Sequence, residues 1–374
     1  MSKLRVMTVL GTRPEAIKLA PVIQCLAVDE RVESIVVATA QHRKMLDQVL
    51  SLFNIRPKRD LNLMREDQSL ANLTAAIFTS LDPLLEEYQP DWLLAQGDTT
   101  TVMASALAAF YRQVRFGHVE AGLRTGDKRQ PFPEEINRRV ASVVADLHFA
   151  PTQWAKQNLL REGIPENLIR VTGNTIIDAL DQIRKLPMPA EIEKLLTEKK
   201  ILSGERELVV VTAHRRESFG APIREICGAL KTLAEKFSDR VELVYPVHLN
   251  PNIQQPVHEI LDGLSNVTLL PPLEYLPTIH LLLRARLILT DSGGIQEEAT
   301  GLGIPCLVLR EMTERPEGVQ AGVLKLVGTS PQKIISETSL LLENGQAYQK
   351  MAHAANPYGD GHAAGRIVSA LLEQ

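Results

Sequence analysis

LILTDSGGIQEEATGLGIP, residues 287–305, sets the architecture of this chain. Residues 287–290 form a short apolar run, long enough only for a buried strand. Asp291, Ser292, Gly293 and Gly294 break it. Residues 295–302 carry helix formers, with Gln296, Glu297 and Glu298 expected in the first turn, where carboxylates suit the helix dipole. Gly303 and Pro305 stop the helix, and another apolar run follows at 306–309. Strand, Gly-rich turn, helix, strand is a unit that offers bare backbone N–H groups to a phosphate. The two glycines let a ligand come close to the main chain. Many α/β units have such a turn with no ligand, so the neighbours matter. Glu298 lies one turn in, placed to accept from sugar hydroxyls beside a phosphate. Downstream, Arg315 in Thr313-Glu314-Arg315-Pro316-Glu317 can meet a diphosphate bidentately.

The same alternation extends outward in both directions. Apolar runs at 4–10, 35–39, 92–95, 115–119, 147–150 and 169–171 read as strands, separated by helical segments at 14 onward, 69–88, 102–111 and 134–145. From 183 to 204 the composition turns to Lys, Glu and Pro, which reads as a hinge with a linker helix. Strands restart at 207–212, 241–246 and 267–270, and a last one follows at 323–327. Strands alternating with helices imply parallel sheets covered on both faces. The expected fold class is therefore α/β, with two Rossmann-like doubly wound domains facing across a cleft. Their expected bounds are 1–175 and 205–355, with the C-terminal helix, 362–374, packing back on the first.

Length and composition agree. A chain of 374 residues exceeds one ordinary core, and 44% hydrophobic with 23% charged residues describes a globular protein. A formal net charge of -4 argues against nucleic acid as a partner. Cys25, Cys227 and Cys306 lie far apart in apolar runs, as buried thiols of a reducing compartment do. The N-terminus lacks the pattern of a signal peptide, and no apolar stretch approaches the roughly 18 residues of a membrane span. A cytoplasmic location is expected.

Ligands of doubly wound sheets bind beyond the carboxyl ends of the strands. There this sequence places Arg13, His42, Asp98, Glu120, His214, His248 and Ser292. For Asp98 and Ser292, helix capping is an equal reading. Glu120 directly follows a buried strand and precedes Ala121-Gly122, so it caps no obvious helix. His214-Arg215-Arg216-Glu217 sets three potential cations after another strand. Lys18 leans back towards its helix start, where the bland alternative is a salt bridge with Glu15.

These segments together carry a resemblance. GTRPEAIK (11–18), TAQHRKMLDQVL (39–50), QGDTTT (96–101), GHVEAGLRTGD (117–127), PFPEEINR (131–138) and TGNTIIDAL (172–180) form its first part. TAHRRESFG (212–220), YPVHLNPN (245–252), EYLP (274–277), LTDSGGIQEEA (289–299), TERPEG (313–318) and NPYGDG (356–361) continue it. Taken in order over nearly the whole chain, they closely resemble the bacterial non-hydrolysing UDP-N-acetylglucosamine 2-epimerases. The resemblance implies a fold similar to the B-type glycosyltransferases and interconversion of UDP-GlcNAc and UDP-ManNAc without NAD, for bacterial surface polysaccharides. Carbon 2 of the sugar has no neighbouring carbonyl to acidify its hydrogen. The family's route is instead elimination of UDP to 2-acetamidoglucal and re-addition with the proton on the other face.

Position by position, Asp98, Glu120 and Glu134 match the family's carboxylates at the sugar, and His214 its essential histidine. Arg13 and Lys18 match binding residues near the diphosphate and uridine; Ser292, Gly293 and Gly294 match the diphosphate loop. Glu298 matches the ribose contact and Arg315 a further phosphate contact. Where members often carry Gln and Phe around Glu-Tyr-Leu-Pro, this chain has Leu273 and Thr278, which puts base stacking there in question. Several members bind a second UDP-GlcNAc as activator. The matching positions are Gln41, His42, Gln68, Glu135, Arg215 and His248, while Asp67 replaces an Arg of some members. No cofactor and no metal is expected, and a homodimer is. A hydrolysing epimerase and a B-type glycosyltransferase remain the alternatives.

Overall fold

The computed structural model describes residues 3–39, 43–65 and 68–374. By its contacts the chain divides into two compact units, Met1–Asp181 with Tyr358–Gln374, and Gln182–Pro357.

Among the described residues the first unit holds seven strands: β1 (Leu4–Leu10), β2 (Val32–Ala38), β3 (Arg59–Asp60), β4 (Trp92–Gln96), β5 (Arg115–Val119), β6 (Leu147–Ala150) and β7 (Ile169–Val171). All pair in parallel, in the order β3-β2-β1-β4-β5-β6-β7. Both faces are covered, so residues on either side of the pleat are apolar, as the fully buried run 92–95 illustrates. Met7, Val9, Ile35, Leu93 and Phe116 meet the helices Leu70–Tyr88 and Thr100–Tyr111 in one core.

The second unit repeats the plan with β8 (Glu207–Thr212), β9 (Val241–Pro246), β10 (Val267–Leu270), β11 (Ala285–Thr290), β12 (Cys306–Val308) and β13 (Leu324–Leu326). Their order is β10-β9-β8-β11-β12-β13, again parallel throughout. Val209, Val211, Leu243, Leu287 and Leu307 centre its core. The doubly wound α/β expectation for both halves is met.

The strand orders locate the ligand side. In each sheet the direction of strand succession reverses once, between β1 and β4 and between β8 and β11. A crevice opens beyond the carboxyl ends of the strands at such a switch point.

The C-terminal helix Ala363–Leu372 packs on the helix Arg13–Val28 of the first unit. Its start is held by a distant carboxylate. Asp178 accepts from the backbone N–H of Ala363 (3.2 Å) and Ala364 (2.9 Å), and burial raises its pKa.

Candidate active site

In the first unit the switch point begins with Gly11 and Thr12, directly after β1. Thr12 caps the helix Arg13–Val28 in a capping box with Glu15, whose carboxylate accepts from the N–H groups of Gly11 (2.7 Å) and Thr12 (2.6 Å). Burial raises the pKa of Glu15. Arg13, rather than Pro14, opens the helix and stays half-buried there. Lys18 does not turn to Glu15. Its ammonium pairs with Glu120, 102 residues away, and both side chains are buried. Glu15 is committed to the cap, and that leaves Lys18 the carboxylate at the end of β5.

Glu120 is the centre of this half. Its Oε1 accepts from Lys18 and from Asn174 Nδ2 (2.9 Å), and its Oε2 accepts from Gln96 Nε2. Three donors converging on one carboxylate suit an anion. Its backbone has φ +63°, a left-handed conformation that costs a non-glycine residue roughly 1–3 kcal/mol. The chain thus bends sharply out of β5 at the residue that carries the carboxylate.

Asp98 sits one strand over, past the end of β4. It does not cap the following helix; Thr99 does, accepting from Val102 N–H. The Asp98 carboxylate accepts from Arg138 Nη2 (2.6 Å) and Nε (3.0 Å), and its carbonyl accepts from Asn137 Nδ2 (2.9 Å). Asn137 and Arg138 belong to the helix Glu134–Val144, so they tie Asp98 to the helix that Glu134 opens. Behind this group, buried His118 donates through Nε2 to the Gly97 carbonyl (2.7 Å), next to Asp98. Lys18 and Glu120 therefore meet directly, and Asp98 is tied to the helix that Glu134 opens.

In the second unit, His214 follows β8 and Asp291 follows β11, the two strands of the other switch point. Asp291 Oδ2 accepts from the N–H of His214 (2.8 Å) and of Arg215 (2.8 Å). The His214 ring stacks on that of His248, with centroids 5.4 Å apart and planes 7° from parallel. Beside them the helix Gly293–Leu302 begins two residues earlier than the sequence suggested. Ser292 occupies its N-cap by backbone only, with no side-chain cap bond. The shift moves Glu297 and Glu298 out of the first turn, and both are buried. Glu297 holds Arg315, accepting from its Nε at 2.7 Å. The guanidinium lies against Gly293, where a Cβ would come within 2.5 Å of Nη1. Arg310 (3.0 Å) and Arg315 (3.4 Å) share the carboxylate of Glu314. Its pKa falls to about 2, because those guanidinium groups outweigh a burial that would raise it.

Leu273 and Thr278 flank the start of the helix Tyr275–Leu282, both half-buried, with Thr278 bonded back to the Glu274 carbonyl (2.7 Å). Of the activator positions, Gln41, His42 and nearby Asp67 lie outside the described residues. Gln68 is half-buried just before the helix Leu70–Tyr88. Glu135 is fully buried, accepting from Thr125 N–H (3.1 Å), Gly126 N–H (3.2 Å) and Arg138 Nη1 (3.0 Å). Arg215 and His248 accompany His214. Among the described residues no group of three or more His, Cys, Asp or Glu side chains could hold a metal ion, and no helix is long and apolar enough to cross a membrane.

Sequence reasoning assigned no role to Gln96, Asn174, Arg138 or Asp291, though each stands in a quoted motif. The available signal was position, since Gln96 ends β4 and Asp291 follows β11.

Comparison with known proteins agrees with these observations. Residues 24–372 match the protein family described as UDP-N-acetylglucosamine 2-epimerase. The UDP-N-acetylglucosamine 2-epimerase of Yersinia pestis is 52% identical over 370 residues, covering 98% of this chain and 98% of that protein. Among solved structures, the UDP-GlcNAc 2-epimerase of Neisseria meningitidis bound to UDP-GlcNAc is 48% identical, with a TM-score of 0.93 over 99% of this chain and 100% of that one. The Methanocaldococcus jannaschii UDP-GlcNAc 2-epimerase in complex with UDP-GlcNAc and UDP is 33% identical, with a TM-score of 0.84 over 99% and 100% of the two chains.

Proposed function

The chain belongs to the UDP-N-acetylglucosamine 2-epimerase family, and from that premise we propose that it interconverts UDP-GlcNAc and UDP-ManNAc. The reaction runs by elimination and re-addition. A base takes the proton from C2, the bond between C1 and the diphosphate oxygen breaks, and UDP leaves with the electron pair. UDP then adds back to C1 of the glucal while C2 receives a proton on the opposite face.

The observation that carries this reading is the convergence of Lys18, Gln96 and Asn174 on Glu120, beside the Asp98–Arg138 pair. Held carboxylates of this kind suit proton removal and return, for which general acid–base catalysis supplies about 10²–10⁴-fold. Asp98, Glu120, Glu134 and His214 act in the chemical step. Arg13, Lys18, Ser292, Gly293, Gly294, Glu298 and Arg315 bind the nucleotide sugar, and cations next to the diphosphate favour its departure. Gln68, Glu135, Arg215 and His248, with Gln41 and His42, form a second UDP-GlcNAc site that activates the first.

The proposal extends to a cytoplasmic homodimer that supplies ManNAc for surface polysaccharide. Exposed Phe110, Tyr111 and Val143, on the adjacent helices Thr100–Tyr111 and Glu134–Val144, support self-association, which light scattering tests.

Incubation with UDP-GlcNAc in deuterated water tests the reaction. UDP-ManNAc with deuterium at C2 is expected, together with exchange of the bridging oxygen between sugar and phosphate positions. UDP-ManNAc without deuterium would refute the elimination route. Free ManNAc with UDP would identify a hydrolysing enzyme, and a glycosylated acceptor a transferase.

A further inference from the structure

Asp291 is fully buried, and its two oxygens have different lives. Oδ2 accepts from His214 N–H (2.8 Å), Arg215 N–H (2.8 Å) and Ser218 Oγ (3.1 Å). Oδ1 is buried with no hydrogen bond, and lies 3.6 Å from His214 Nδ1. That separation is too long for a hydrogen bond and short enough for an ion pair. Among the described residues, Asp291 forms its ion pair with His214. A carboxylate wholly out of water is costly unless a counter-charge or a full set of donors meets it. Its second oxygen has neither, except the imidazole.

The surroundings hold the backbone that carries that imidazole. Thr212 and Thr290 bond across the ends of β8 and β11 through their hydroxyls, at 2.6 Å. Buried Tyr245 donates to the Ala213 carbonyl at 2.6 Å, which locks the backbone immediately before His214. His248 covers one face of the ring. Catalytic contacts of unliganded sites are often long and tighten on binding, so a small rotation of the ring would close the gap.

We propose that Asp291 is a positioning residue for His214. Its carboxylate keeps Nδ1 protonated, orients the ring, and favours the imidazolium, so the proton work of the ring falls to Nε2. A histidine has two tautomers, and the bond made by one nitrogen decides what the other can do. This inference rests on the proposed epimerase chemistry for His214, but its first readout does not.

That readout is the ¹⁵N spectrum of the imidazoles in the full-length wild-type protein, with the His214 signals assigned by their loss in His214→Asn. Nδ1 carrying the proton is expected. An unprotonated Nδ1 overturns the proposal, whatever the enzyme makes. The second readout is Asp291→Asn. The amide can still accept from the two backbone N–H groups, but it offers Nδ1 a donor and so selects the wrong tautomer. We expect kcat to fall by at least about 10²-fold while UDP affinity stays within about threefold of wild type. A kcat near wild type, or UDP affinity lost in step with kcat, overturns the positioning role. Should Asp291→Asn fail to fold, the wild-type spectrum decides. If the wild-type protein makes no UDP-ManNAc, the epimerase reading fails, and the tautomer still reports on Asp291.

Discussion

Gly293→Ala separates stability from nucleotide binding at a single carbon. Gly293 is the first residue of the helix Gly293–Leu302 and is absent from the glycines with positive φ, so its backbone suits alanine. Replacing a helical glycine under those conditions stabilises by about 0.4–1 kcal/mol, mainly by restricting the unfolded chain. The new Cβ would stand 2.5 Å from Arg315 Nη1 and 2.8 Å from its Cζ. Both atoms are the far end of a flexible side chain, so the guanidinium moves and the fold does not. Moving it strains the Arg315–Glu297 bond (2.7 Å) and withdraws the group from its place over the helix start. A charge-assisted hydrogen bond to a phosphate is worth about 1.5–3 kcal/mol, which converts to roughly 10- to 150-fold in affinity. Titration calorimetry with UDP should show that loss, while the urea midpoint holds or rises. UDP affinity within about twofold of wild type would refute the link between Arg315 and the diphosphate. A clear fall in the midpoint would refute the claim that only the guanidinium gives way.

Arg315→Ala and Glu298→Ala should each weaken UDP by a comparable roughly 1.5–3 kcal/mol in the same assay, and wild-type affinity in either would remove that residue from the UDP site. Asp98→Asn, Glu120→Gln and Glu134→Gln should lower kcat by at least about 10²-fold, and His214→Asn should also lower it, with UDP affinity little changed. Near wild-type turnover in all four would make the cluster structural. Glu120→Gln should also cost about 3–5 kcal/mol in urea unfolding, because it leaves the buried ammonium of Lys18 beside a neutral amide. Asp98→Asn should cost less, since Arg138 retains Glu135. Acid should destabilise the fold through His118 and His148, which burial holds neutral down to about 4 and about 3. The unfolded chain takes up these protons near pH 6.5 and the folded chain refuses them, so stability falls from about pH 6.5 towards 4. His118 alone accounts for about 3 kcal/mol at the lower end. Urea midpoints across that range should slope accordingly, and less so in His148→Leu; a flat profile would refute the assignment.

The strands were legible because parallel strands buried on both faces are continuous apolar runs, as residues 92–95 and 208–211 show. β3 was not. It is two exposed charged residues, Arg59 and Asp60, at the sheet edge, and its only signal is its pairing with β2. The start of the helix Gly293–Leu302 was misplaced for a related reason. Two glycines look like a break in a propensity reading, whereas the helix includes both, with the Arg315 guanidinium packed against the bare backbone of Gly293.

The residues at strand ends were legible by position, but their partners were not. The strand-end rule points to Glu120 without any knowledge of the fold, because the chain must leave the sheet there. Gln96, Asn174 and Lys18, which donate to it, stand 24, 54 and 102 residues away. Which of them reaches it depends on register: β4 pairs with β5 so that Gln96 lies opposite Val119, one residue short of Glu120. A local reading offered Lys18 the carboxylate three residues before it, and lost. Glu15 was already engaged by the N–H groups of Gly11 and Thr12 at the helix start, where an acidic residue also meets the dipole. Capping therefore releases Lys18 for the long-range pair. The same economy holds at Asp98, which leaves capping to Thr99 and keeps its carboxylate for Arg138. In both places a neighbouring residue meets the structural demand, and the charged side chain at the strand end is left to the site.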